Sequence, residues 1–131
     1  FSGVNVQVPA NIVPAGGLIL FDFHATHPSS ANTKVYKLRW NSAAGTTIYT
    51  SGSFSTITLL KATGKISNKT ASTQVCDAMH SRSSDGVGAF TFSNSAQDTT
   101  ATGNSIVITA TLSNASETAT LGSWLFEAVR N

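Results

Sequence analysis

The sequence contains a single cysteine, Cys76, among its 131 residues. No intrachain disulfide can form, so packing and backbone hydrogen bonds must hold the fold together. Charge is scarce too. Asp, Glu, Lys and Arg make up 11% of the chain, against about a quarter of an ordinary soluble domain. The eight basic and six acidic residues are scattered without a run of one sign. The clustered basic face of a nucleic-acid binder is therefore missing, and no nucleic-acid partner is expected. No apolar run approaches the roughly 20 residues of a membrane-spanning helix, so membrane insertion is not expected either. Apolar spacing of three and four never persists for three turns, which excludes a long helix.

What is present is alternation. Apolar residues make up 40% of the chain and recur with period two in short runs cut by Gly, Pro, Asn and Ser, which argues against disorder. Val4, Val6 and Val8 alternate with Asn5 and Gln7 until Pro9. From Leu18 to Ala25, the residues Ile19, Phe21, Phe23 and Ala25 share the face expected to meet the core. Tyr36, Leu38 and Trp40 oppose Val35, Lys37 and Arg39. A strand is expected over Phe54 to Ala62, punctuated by Gly64 and closed by a polar stretch from Ser67 to Ser72. Gln74 to His80, Phe90 to Phe92, Ile106 to Leu112 and Ser123 to Val129 supply further strands, while Asn94 to Asn104 reads as exposed loop. About nine strands at spacings of roughly 8 to 14 residues predict an all-β, jelly-roll-like antiparallel β-sandwich with no long helix. Its length fits one domain over 1–131, and an opening Phe1 in place of Met fits a piece processed or excised from a longer protein.

Chemistry-bearing motifs are sparse. His24, His27 and His80 with Asp22, Asp77 or Cys76 could in principle ligate zinc, but the His24/His27 spacing does not aim both rings at one point, so no metal is expected. There is no Gly-x-Ser-x-Gly elbow, and Cys76 reads as a buried small hydrophobe. The six acids share no local motif for glycoside cleavage. Gly16-Gly17 precedes a strand, so no helix N-terminus awaits a phosphate. Asn68-Lys69-Thr70 and Asn114-Ala115-Ser116 match the glycosylation triplet and read as turns. Neither an enzyme nor a cofactor is expected. Tyr36, Trp40, Tyr49 and Trp124 could stack sugar rings, although Trp40 and Trp124 alternate with Leu38 and Phe126 as core or interface residues would.

The order of short motifs resembles bacteriophage virion appendage domains, the β-sandwich modules of tail fibres, tail spikes and head spikes. The resemblance is carried by Val6-Gln7-Val8-Pro9-Ala10-Asn11, Gly16-Gly17-Leu18-Ile19, Asn32-Thr33-Lys34 through Leu38-Arg39, Asn104 to Leu112, Asn114-Ala115-Ser116-Glu117-Thr118 and Phe126-Glu127-Ala128-Val129. It implies a virion protein that acts outside the cell, forms a homotrimer through one sheet, touches other virion proteins and presents loops to a host-surface glycan. It supplies no catalytic residues, and His24 to His27 and Cys76 to His80 match nothing in it.

On that expectation the loops Pro28–Lys34, Ser81–Gly88 and Asn94–Asn104 are the places for a ligand, because loops on a rigid scaffold carry recognition. Asn32, Lys34, Asp85, Asn94 and Asp98 are the candidate ligand contacts, and Trp124 and Phe126 the candidate core or subunit-contact residues. The alternative is a purely structural virion module, a capsid, decoration or trimerisation domain, that binds no ligand.

Overall fold

A computed structural model of the chain describes residues 2–83 and 89–130. Within them are nine strands and no helix: β1 (Ser2–Val8), β2 (Leu18–Thr26), β3 (Lys34–Trp40), β4 (Thr47–Thr50), β5 (Leu59–Thr70), β6 (Thr73–Arg82), β7 (Ala89–Ser95), β8 (Asn104–Leu112) and β9 (Thr120–Val129). They form two antiparallel sheets, ordered β1-β8-β3-β4 and β7-β6-β5-β2-β9, so the fold is the antiparallel β-sandwich that the alternation predicts. The chain changes sheets at five of its eight connections. Only the β3–β4 hairpin and the β5-β6-β7 meander stay within one sheet.

The period-two pattern becomes an inside and an outside. Ile19, Phe21, Phe23 and Ala25 are all buried, as are Tyr36, Leu38 and Trp40 opposite them and Ile106, Ile108 and Ala110 on β8. Burying side chains of this size stabilises the fold by roughly 1.5–3 kcal/mol each before chain entropy is counted. Cys76 is buried among them, with its thiol pushed up to about 12 by burial, so it stays protonated and packs as a small hydrophobe.

The strand expected at Phe54 to Ala62 is displaced. Phe54 makes one isolated bridge to Lys34, Thr56 then takes a left-handed φ of 61°, and the regular strand begins at Leu59 and continues to Thr70. Gly64 does not end it. In register it lies between Phe21 and Ala78, and a Cβ there would come within 2.8 Å of the Phe21 ring and 2.4 Å of the Asp77 carbonyl. Glycine is present because neighbouring backbone and an aromatic ring occupy the side-chain space.

The Asn94–Asn104 segment also departs from expectation. Asn94 and Ser95 end β7, and the remainder folds onto one end of the sandwich instead of standing free. Buried Thr99 receives the Asn11 amide at 3.0 Å and donates its own to Ala71 at 2.8 Å. Small polar side chains satisfy one another here. Asn68 donates to the Val13 carbonyl at 2.8 Å and the Thr99 hydroxyl at 3.0 Å, and accepts from Gln74 at 2.9 Å. Asn68 is thus a sealed strand position, with Lys69 and Thr70 exposed at the end of β5, and the triplet is not a turn. Asn114 does open a turn, closed by the Glu117 amide at 3.1 Å.

Candidate functional site

The two ends of the sandwich differ. At the end opposite the Asn68 network, the segment 27–33 between β2 and β3 packs against the β4–β5 segment and against 113–119 between β8 and β9. Backbone bonds fix these three together. The Thr56 amide donates to Ser30 O at 2.6 Å, the His27 amide to Thr58 O at 3.0 Å, and the Ser113 amide to Thr33 O at 2.9 Å.

Lys34 opens β3 on the same side as Tyr36, Leu38 and Trp40, and the strand's parity carries it into the interior with 0% exposure. Its ammonium donates to Ser30 Oγ and the Asn32 carbonyl, both at 2.8 Å, and pairs with Glu117 at 3.4 Å. The other Glu117 oxygen accepts from Ser30 Oγ at 2.5 Å and Asn32 Nδ2 at 2.7 Å. The Asn32 and Ser30 bonds, with Lys34 behind them, hold the Glu117 carboxyl below the usual carboxylate range. It is a fixed, ionised acceptor.

Beside it, Tyr36 donates or accepts at 3.0 Å with His27 Nδ1, and the imidazole lies against the Tyr36 and Phe54 rings with centroids 5.7 and 5.2 Å away. Burial first, and Lys34 second, push the His27 pKa below its ordinary value. Glu117 also borders a cleft of about 300 Å³, lined by Ala110, Leu112, Asn114, Ala115 and Ala119 among others. The alanines leave the space, and Asn114, Glu117 and Thr118 are its polar lining residues.

The candidate contacts divide accordingly. Asn32 and Lys34 meet at this one end, but Lys34 is no ligand contact: its ammonium is sealed in the interior by Ser30, Asn32 and Glu117. Asn94 and Asp98 sit toward the other end, Asn94 exposed on β7 and Asp98 bonded to its own loop through Thr100 at 2.6 and 2.9 Å. Asp85 lies outside the described residues. Glu117, the centre of the cluster, is absent from the sequence-derived set. Its partners lie more than 80 positions away, and only Lys34's parity with Tyr36 hinted that an ammonium was buried and needed a carboxylate.

Three of the four candidate sugar-stacking aromatics, Tyr36, Trp40 and Tyr49, are fully buried. Trp124 is not in the core: it is 47% exposed on β9, an edge strand of the larger sheet. Phe126 is half-buried and packs on the core near Phe21, ring centroids 6.4 Å apart. The histidines occupy separate surroundings. His24 lies on the outer face of β2, bonded to Ser123 at 2.7 Å, while His27 and His80 are buried. Among the described residues no three His, Cys, Asp or Glu side chains converge as a metal set. Set against protein-family models, curated proteins and solved structures, the chain matches none of the three.

Proposed function

We propose that this chain is a head module of a phage tail fibre or spike, part of the virion surface, and that it binds host cell-surface carbohydrate at the 27–34/113–119 end. The virion reading rests on the sequence resemblance, and the observation that supports this end as the site is a cleft of about 300 Å³ with Asn114, Glu117 and Thr118 as its polar lining residues, Glu117 being immobilised by Ser30, Asn32 and Lys34. That volume is at the lower end of small-ligand clefts. A cleft whose wall is held in place by Glu117 and whose polar lining includes Asn114 and Thr118 suits neutral polyhydroxyl ligands, whose affinity comes from hydrogen bonds to fixed partners. Binding without cleavage fits as well, since glycoside hydrolysis uses two facing carboxyl groups. Of the other described acids, Asp22, Asp77 and Glu127 lie on the outer face of the larger sheet.

The test is adsorption of the purified chain to host cells and to a glycan array. Wild type is compared with Ala115→Phe, which fills the cleft from an exposed position, and with Asp98→Ala at the far end. The expected result is saturable binding, lost at least tenfold in Ala115→Phe and kept in Asp98→Ala, with unchanged melting temperatures. Equal binding by Ala115→Phe overturns the cleft as the site. A wild type that binds no glycan supports the second reading, a purely structural virion module, which the apolar outer face of the five-stranded sheet favours.

A further inference from the structure

Five large apolar side chains stand exposed among the described residues, and four of them share one surface. Leu20, Met79, Phe92 and Leu125, at 39, 48, 65 and 55% exposure, all lie on the outer face of the five-stranded sheet. The registers place them in two adjacent cross-strand rows. One runs Phe92, Asp77, Lys65, Leu20, Glu127 and the next Met79, Thr63, Asp22, Leu125. Between Leu20 and Met79, over Thr63, lies a shallow dip of about 400 Å³.

We infer that this face is where two copies of the chain pair. Four observations choose a second copy as the occupant. The four side chains expose on the order of 400 Å² of apolar surface, at the scale where a patch marks an interaction site. A standard interface takes about 800 Å² from each partner, somewhat over half of it apolar, which is what this face supplies. Most of the charge on it is already paired, Lys61 with Asp22 at 3.2 Å and Lys65 with Asp77 at 3.6 Å, and Glu127 stands at the β9 edge of its row. The middle of the face therefore selects no charged partner and meets its own copy with little repulsion. Finally, Phe92 is a projection and the Thr63 dip a recess on the same surface, so each copy offers what the other receives.

A face that meets itself is isologous and closes at two, whereas a three-fold ring needs two different patches to meet. The pairing is thus two-fold, in contrast to the trimer that the appendage resemblance implies, and it does not depend on the cleft at Glu117. Multi-angle light scattering and sedimentation on the whole chain test it, with Phe92→Asp and Met79→Lys as variants at exposed positions that leave the core untouched. The expected wild-type mass is twice the 13.6 kDa of the chain, with the dissociation constant raised at least 100-fold in each variant and the melting curve of the dissociated chain unchanged. A wild type that is monomeric at every concentration, a trimer, or a dimer indifferent to both substitutions overturns it.

Discussion

Gly64→Ala is the most demanding test of the packing described above. The added methyl would lie 2.4 Å from the Asp77 carbonyl oxygen, 2.8 Å from Ala78 Cα and 2.8 Å from Phe21 Cζ. Two of these three are backbone atoms of β6, so the clash cannot be relieved by rotating a side chain; β5 and β6 must part. Overpacking of this kind costs typically 1–3 kcal/mol, and opposing backbone places it at the upper end. Replacing a strand glycine with alanine returns roughly 0.5–1 kcal/mol by restricting the unfolded chain. The net loss is about 2 kcal/mol, which for a domain of this size lowers the melting temperature by about 8 °C. Thermal and urea denaturation followed by circular dichroism measures it, with the urea midpoint falling at an unchanged slope. Phe21→Leu in the Gly64→Ala background separates the contributions: relieving only the ring contact should recover a minor part of the loss. An unchanged or raised melting temperature in Gly64→Ala, or full rescue by Phe21→Leu, refutes the backbone clash and with it the close β5–β6 approach at this register.

Two further outcomes concern buried groups. The folded-state pKa of His27 is lowered by burial and by Lys34, so the unfolded chain takes up this proton first. Its contribution to stability is complete above the ordinary histidine pKa of about 6.5 and is lost as pH falls below that value towards the folded-state pKa. His27→Gln should flatten the stability profile in that window, whereas Glu117 and Asp98, both held low, cause loss only as pH falls from about 4.5; equal slopes near pH 6 in wild type and His27→Gln would count against the buried ring. Cys76, with its thiol pushed up to about 12, should react with a thiol reagent at pH 8 only as fast as the protein opens; labelling at the rate of a free thiol in native buffer would contradict its burial.

Much of the architecture was legible because one physical rule generated it. Where a strand has one wet face, alternation survives in the sequence, and β2, β3 and β6 could be assigned face by face from it. Gly64 misled because glycine between apolar runs looks like punctuation, and only the β6 backbone and the Phe21 ring, both brought to it by pairing, explain its presence mid-strand. Phe92 and Phe126 look alike in sequence, yet Phe92 projects outward at 65% exposure while Phe126 packs near Phe21. The candidate site was half legible. Asn32 was singled out because polar loops are exposed, and its amide is bonded to Glu117; Lys34 was misjudged for the same reason, since a lysine beside a loop looks solvated until its strand parity is counted. Glu117 was invisible because its meaning lies in Ser30 and Asn32, brought to it by the pairing of β3 with β8.

That pairing also sets the order in which the chain can fold. β8 is the middle member of the smaller sheet, flanked by β1 on one side and β3 on the other. Val8 is in register with Asn104 and Ser2 with Thr109, so β1 has no hydrogen-bonding neighbour until the chain reaches β8. The strands β2, β5, β6 and β7 can assemble earlier, leaving Phe21, Phe23 and Ile66 uncovered beneath a half-built second layer. Insertion of β8 between β1 and β3 then closes the interior in one late, long-range step. Such topologies refold in milliseconds to seconds, slowly for a chain this short. On the ribosome, β8 is the keystone for which β1 waits.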